Sequence, residues 1–77
     1  MKKQLYFTVK QELMDIAGID GKIASHWKYI TVYEITNNQP KIFAEIVAYD
    51  GDVDTVQIQW WLDNNGYGDD EFEFTEL

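Results

Sequence analysis

The chain has 77 residues, enough for one domain with a small core, and its net charge is −8 from 14 acidic residues and 6 lysines. It contains no cysteine, which excludes disulfides and thiolate metal sites. Its 3 Trp, 5 Tyr and 4 Phe residues, with a hydrophobic fraction of 45%, exclude a disordered acidic chain.

The N-terminal part of the chain predicts one strand and one short helix. Apolar and polar residues alternate over Gln4–Lys10, which is typical of a strand. Over Gln11–Ala17 the apolar residues fall at helical spacing, and Gly18 follows at the position where a helix C-terminus favours glycine. We therefore expect a strand, then a helix over residues 11–17, then a turn over Gly18–Gly21.

The middle of the chain predicts a β-hairpin. His26–Thr36 is rich in Tyr, Ile, Val and Thr, and Ile42–Tyr49 follows as a second apolar run. The intervening Asn37–Pro40 has the composition of a turn. The first strand of this hairpin, His26–Thr36, carries large apolar residues on both faces, which predicts a central position in the sheet. One face holds Trp27, Tyr29, Tyr33 and Ile35, and the other holds Ile30 and Val32.

Residues 53–64 fit two interpretations. Apolar residues alternate with polar ones over Thr55–Leu62, as in a strand. An N-cap at Asp52 or Asp54 and a glycine at Gly66 fit a helix instead. We favour the helix slightly, because Asn64–Gly68 is long for a tight hairpin. As a helix, the segment gathers Ile58, Trp61 and Leu62 on one side.

Glu71–Leu77 predicts a terminal strand with Phe72 and Phe74 facing inward. Together these segments predict a single α+β domain over residues 1–77. We expect an antiparallel sheet of four or five strands packed against one or two helices.

Few residues are suited to catalysis. Ser25 and His26 are the single serine and histidine of the chain, and neighbouring residues of a strand point to opposite faces. That geometry does not build a nucleophile and its base. Paired carboxylates are abundant, but so short a chain rarely forms the deep cleft that they need. The sequence predicts a protein that is not an enzyme and needs no cofactor.

The acidic residues resemble a calcium loop only in part. Asp50, Asp52 and Asp54 match the first, third and fifth positions of an EF-hand, but Thr55 replaces the glycine and Trp61 the glutamate that the loop requires. A frame that starts at Asp63 has Asn65 at the third position and Gly68 at the sixth, but it places Tyr67 at the fifth and Phe74 at the twelfth. We therefore predict no metal residues, while a small ligand or divalent metal in the acidic loops stays as an alternative function.

Charge also bears on nucleic acids and membranes. The chain has no arginine and its lysines are scattered, so direct nucleic-acid binding is disfavoured. No stretch approaches the roughly 20 apolar residues of a membrane span, and the N-terminus lacks the apolar run of a signal peptide. We expect a cytoplasmic protein, either a monomer or a small homo-oligomer.

The acidic residues are concentrated in the C-terminal part of the chain. The first 49 residues carry six lysines and five acids, which gives +1, and residues 50–77 carry nine acids and no lysine, which gives −9 and the total of −8. Tyr67, between Gly66 and Gly68, and either Trp60 or Trp61 are the candidate aromatic anchors. The candidate partner-binding residues are Asp50, Asp52, Asp54, Asp63, Tyr67, Asp69, Asp70, Glu71, Glu73 and Glu76.

In size, acidity and aromatic content the chain resembles the small acidic inhibitors of phages and mobile elements, including anti-CRISPR and anti-restriction proteins. The resemblance is compositional, and no motif carries it. It implies a folded acidic face that occupies the basic groove of a nucleic-acid-handling protein, where carboxylates stand in for phosphates. We therefore predict a small acidic protein-binding module for a basic protein partner. The simpler alternative is that the charge only keeps the domain soluble.

Overall fold

The computed structural model of the chain describes residues 2–18 and 21–77, without the side chains of residues 12–18 and 21–26. The described residues form four strands and one helix, which confirms the α+β class. The strands are β1 (Lys3–Gly18), β2 (Gly21–Thr36), β3 (Gln39–Tyr49) and β4 (Phe72–Glu76), and the helix is α1 (Asp54–Asn64).

The four strands form one sheet in the order β3-β2-β1-β4. β1, β2 and β3 pair antiparallel, as predicted, but β4 pairs parallel to β1, so the sheet is mixed rather than wholly antiparallel. The difference arises from α1, because the connection through the helix carries the chain from one edge of the sheet to the other. The chain then enters β4 in the direction of β1, which a short hairpin turn does not allow.

The helix predicted over residues 11–17 is wrong. These residues continue β1, which pairs with β2 residue by residue as far as Gly18 opposite Gly21. Pairing along a whole strand outweighs a helical spacing of a few apolar residues. β1 thus ends at Gly18 and β2 begins at Gly21, on the two sides of the predicted turn. Residues 19–20 of that turn lie outside the described residues.

The outer part of this hairpin forms a two-stranded ribbon beyond the sheet. β3 pairs with β2 only from Trp27 to Thr36, and β4 pairs with β1 only from Lys3 to Phe7. The radius of gyration is 14.7 Å, whereas a globular chain of this length has about 11.5 Å. The ribbon therefore makes the molecule elongated.

The predicted hairpin between β2 and β3 is confirmed, and Asn37 and Asn38 close it. Both residues have positive φ angles, 54° and 64°, as a two-residue type I′ turn requires. Asparagine tolerates this left-handed conformation better than most residues do. Pro40 follows in β3, which is an edge strand, where a missing backbone N–H is tolerated.

A β-bulge in β3 brings an additional aromatic residue to the helix side of the sheet. Val32 pairs with Ala44 while Tyr33 pairs with Ile42, so Phe43 is the extra residue. Its ring contacts Trp61 of α1 at a centroid distance of 6.3 Å. The bulge therefore lets Phe43 and the buried Ala44 pack on the same face.

The core lies between α1 and one face of the sheet. As predicted for a helix, α1 directs Ile58 and Leu62 into this core, where both are fully buried, and Trp61 packs at its edge. Phe72 and Phe74 of β4 also pack against the core, as predicted. The remaining buried core residues come from three strands: Leu5, Phe7, Ile30, Val32, Ala44, Ile46 and Ala48.

The two ends of α1 differ in how well the sequence predicts them. The N-cap is Val53, without a side-chain hydrogen bond, so the predicted cap at Asp52 or Asp54 is wrong. At the other end Gly66 has a φ of 91°, and Tyr67 donates its backbone N–H to the Leu62 carbonyl at 2.8 Å. This is the Schellman arrangement, and it confirms Gly66 as the terminating residue.

Candidate protein-binding surface

The outer face of α1 carries an exposed apolar stripe. Val53, Val56 and Trp60 are 63%, 41% and 58% exposed. Val56 and Trp60 lie four residues apart on α1, which places them on one side of the helix, and the N-cap residue Val53 precedes Val56 by three positions. Three large apolar residues in a line next to solvent are what a partner surface can bury.

The two neighbouring tryptophans have different surroundings. Trp61 is half-buried and packs edge-to-face against Phe43. Trp60 lies about 100° further around the helix and projects into solvent. Of the two candidate anchors, Trp60 is therefore the accessible one.

One group of predicted carboxylates lies at the N-terminal end of α1. Asp52 is exposed, and Asp50 accepts a hydrogen bond from the Gln11 amide at 2.8 Å. Asp54 is partly buried in an ion pair, so its charge is already compensated inside the molecule. Of the three, Asp52 is the most available to a partner.

Lys28 fixes this end of the helix. Its side chain is 4% exposed, and its Nζ lies 2.5 Å from Oδ1 of Asp54. The same ammonium donates to the backbone carbonyl of Asp52. Because a buried ammonium needs such partners, β2 and the start of α1 are tied together at this point. Lys28 therefore stabilises the fold. The alternating pattern of β2 does not predict this role.

A second group of carboxylates surrounds the C-terminal end of α1: Asp63, Asp69, Asp70 and Glu71, all of them exposed. The last turn of the helix contains no basic residue. The helix dipole adds partial negative charge at this end, so the carboxylates and the dipole have the same sign. A strong negative potential results beside Trp60, since Asp63 lies one helical turn away from it.

The loop after α1 folds closely against this end of the helix. A Cβ atom on Gly68 would lie 3.3 Å from Oδ1 of Asp63, so the close approach favours glycine. Asp70 donates its backbone N–H to the Tyr67 carbonyl at 3.1 Å. These contacts hold the carboxylates of the loop near the helix terminus.

The remaining predicted site residues are Tyr67, Glu73 and Glu76. Tyr67 is half-buried, with its ring 5.5 Å from Phe43 and 6.5 Å from Phe72 between centroids. It therefore serves the packing of the core edge, unlike an anchor on an exposed loop tip. Glu73 and Glu76 are exposed on β4, and Glu73 lies 3.9 Å from the ammonium of Lys2.

The predicted carboxylates thus divide between the two ends of α1 and the edge strand β4. The helix is about 16 Å long, which separates the two end groups. The sequence prediction missed Val53 and Val56 as neighbours of Trp60. Their helical spacing was visible in the sequence, but it has meaning only once the segment is known to be a helix.

Further properties of the described residues concern metals, catalysis and membranes. Among residues 2–11 and 27–77 no group of three His, Asp or Glu side chains is placed to hold a metal ion. Ser25 and His26 lie in the extended β2, but their side chains are outside the described part. Within that part, no helix is long and apolar enough to cross a membrane.

No protein-family profile, no curated protein and no solved structure matches the chain.

Proposed function

We propose that this protein is a small, non-enzymatic, acidic binding module that attaches to a basic protein through the outer face of α1. In this proposal Trp60, with Val53 and Val56, is the apolar anchor, and the carboxylates at the two ends of the helix face cationic residues of the partner. The proposal includes the cytoplasmic location expected from the sequence.

The exposure of Trp60 next to uncompensated carboxylates is the observation that carries the proposal. Interface residues that contribute most to binding are often tryptophans surrounded by polar groups that exclude water. An arginine or lysine can also stack on an indole ring. The stripe and the charge together fit a basic surface better than an apolar one.

The electrostatic arrangement supports a partner that normally binds nucleic acid. The exposed carboxylates lie at intervals on a folded scaffold, and the chain contains no arginine that could pair with them. Such a face can occupy a groove that otherwise holds phosphates. Its association is then fast at low salt and weakens as ionic strength rises.

A capture experiment tests the proposal. The protein is immobilised and exposed to a nuclease-treated cell lysate at low salt, and bound proteins are eluted with a salt gradient. We expect a basic protein that elutes early and is released by added double-stranded DNA. A triple variant, Asp69→Lys with Asp70→Lys and Glu71→Lys, should no longer capture it.

Two further variants provide a matched comparison. Asp63→Lys and Glu45→Lys make the same change in net charge at exposed residues, one beside Trp60 and one on β3. We expect only Asp63→Lys to weaken capture. Because a cation at a helix C-terminus stabilises the helix, weaker capture by this variant would not result from a loss of folding. Equal capture by all variants, or release that does not depend on salt, would overturn the proposal.

A further inference from the structure

The sheet face opposite α1 is covered by no other element among the described residues. Alternation along the strands places on it the side chains that do not enter the core. We call this surface the open face. Its apolar and aromatic members are Tyr6, Trp27, Tyr29, Tyr33, Ile35, Ile42, Val47 and Tyr49.

The open face is apolar and contiguous rather than scattered. Ile42, Val47 and Tyr49 of β3 are 57%, 56% and 53% exposed. Tyr49 packs edge-to-face on Trp27 of β2, with ring centroids 5.7 Å apart. Tyr6 pairs directly with Tyr33, so apolar surface runs across three strands. A patch of this kind on a small protein usually marks an interaction surface.

A shallow depression lies within this surface between β2 and β3. Its volume is about 350 Å³, and Tyr29, Thr31, Glu45 and Val47 contribute side chains of the open face to its lining. It is large enough to receive a projecting side chain from a facing surface.

The open face is electrically balanced, unlike the rest of the molecule. Its described charged residues are Lys10 and Glu45, with Lys2 and Glu73 as an ion pair 3.9 Å apart at one corner. Two positive and two negative charges sum to zero, whereas the whole chain carries −8. Two copies can therefore meet on this face without bringing their acidic sides together, and a basic partner gains nothing there.

The open face approaches the size that a dimer needs. Three strands span about 14 Å in width and the ten residues of β2 that pair with β3 span about 33 Å, while β4 adds a strand of five residues, so the face covers roughly 550 Å² in projection. Side-chain relief makes the accessible area larger than the projection. A stable interface buries about 800 Å² on each partner.

The ribbon adds a second reason for a facing layer. A two-stranded hairpin is marginally stable when no third strand or other layer supports it. The outer part of β1 and β2, beyond their pairing with β3 and β4, has no third strand among the described residues. A sheet stacked on the open face can supply this layer along the ribbon as well.

We propose that the open face is a self-association surface on which a second copy of this chain packs face to face. The two sheets then form a sandwich with a spacing of about 10 Å and with two-fold symmetry, so that the same residues of both copies meet. The α1 helices lie on the two outer sides of this dimer. The inference does not depend on the function proposed for α1.

Sedimentation equilibrium of the full chain tests this proposal over about a hundredfold range of concentration. We expect the mass to rise from 9.1 kDa towards twice that value. Val47→Lys places a charge at the centre of the open face, and two-fold symmetry repeats it. It should weaken dimerisation at least about tenfold. Val56→Lys is the matched control on α1 and should leave the dimer intact.

Because Val47 and Val56 are both exposed, we expect both variants to keep the native fold, and circular dichroism checks this. Because the open face is neutral, added salt should not dissociate the dimer, in contrast to binding through the acidic helix. A wild-type mass of 9.1 kDa at all concentrations would overturn the proposal. So would a dimer that Val56→Lys disrupts and Val47→Lys leaves unchanged.

Discussion

Among single residues, Trp60 and Trp61 differ in exposure to solvent. They are adjacent in the chain, yet one is exposed and the other packs on Phe43 and the core. On a strand the two rings would point to opposite faces, whereas on α1 they differ by about 100°. The helix therefore allows one of them to support the core while its neighbour remains available.

We predict opposite effects for the two alanine substitutions. Trp60→Ala should weaken partner binding about 30-fold, which corresponds to about 2 kcal/mol of binding free energy. The same substitution should change the free energy of unfolding by less than about 0.5 kcal/mol. Trp61→Ala should lower the free energy of unfolding by about 2 kcal/mol, less than for a fully buried tryptophan. Urea denaturation and binding titration measure the two quantities. A stability loss for Trp60→Ala equal to that for Trp61→Ala would contradict this assignment.

Asn38 offers a second prediction at this scale. Its φ of 64° is unfavourable for a residue with a Cβ atom, except asparagine and aspartate. Asn38→Ala should therefore lower the free energy of unfolding by about 1 kcal/mol. Asn38→Gly should keep the wild-type value within about 0.5 kcal/mol, because Asn-Gly is the preferred type I′ pair. Thermal denaturation of both variants checks this, and equal stability of the two would argue against the turn.

Among the elements, α1 depends on a contact from outside the helix. Val53 provides no side-chain cap, and the buried ammonium of Lys28 holds Asp54 in the first turn and the Asp52 carbonyl just before it. The far end is fixed locally, by Gly66 and the turn that follows it. One end of the helix is thus determined by tertiary contact and the other by local sequence.

We predict that Lys28→Met lowers the free energy of unfolding by about 2 kcal/mol, since it leaves a partly buried carboxylate without its charged partner. For a domain of this size the melting temperature should fall by roughly 10 °C. Lys41→Met removes an exposed lysine and is the matched control, with an expected change below about 0.5 kcal/mol. If both variants melt at the same temperature, Lys28 does not anchor the helix.

The sequence predicted local features well and long-range ones poorly. The hairpin at Asn37–Asn38, the burial of Ile58 and Leu62 and the glycine after α1 follow from nearby residues. The strand over residues 11–17 does not, because its pairing with residues 22–28 outweighs a local helical spacing. The parallel position of β4 and the role of Lys28 likewise depend on contacts between distant segments. The same limit applies to the site, where the stripe beside Trp60 appears only when α1 is assigned as a helix.

For the whole molecule, the two sides of the sheet differ in charge and polarity. The helix side has carboxylates at both ends of α1, whereas the described residues of the open face are largely apolar and their charges sum to zero. In a face-to-face dimer the acidic helices would lie on both outer sides, so one dimer would present two binding surfaces. Trp60→Ala changes only the helix side and Val47→Lys only the open face, so these two variants test the surfaces separately.

The salt dependence of binding tests the central claim, that the acidic side of α1 binds a basic partner, most directly. The captured partner is titrated with the wild type, Asp63→Lys and Glu45→Lys at several salt concentrations. We predict that the logarithm of the affinity falls linearly with the logarithm of salt concentration for the wild type and for Glu45→Lys. Asp63→Lys should bind more weakly and with a shallower slope. Identical slopes and affinities for all three proteins would contradict the account, and the acidic residues would then serve only to keep the domain in solution.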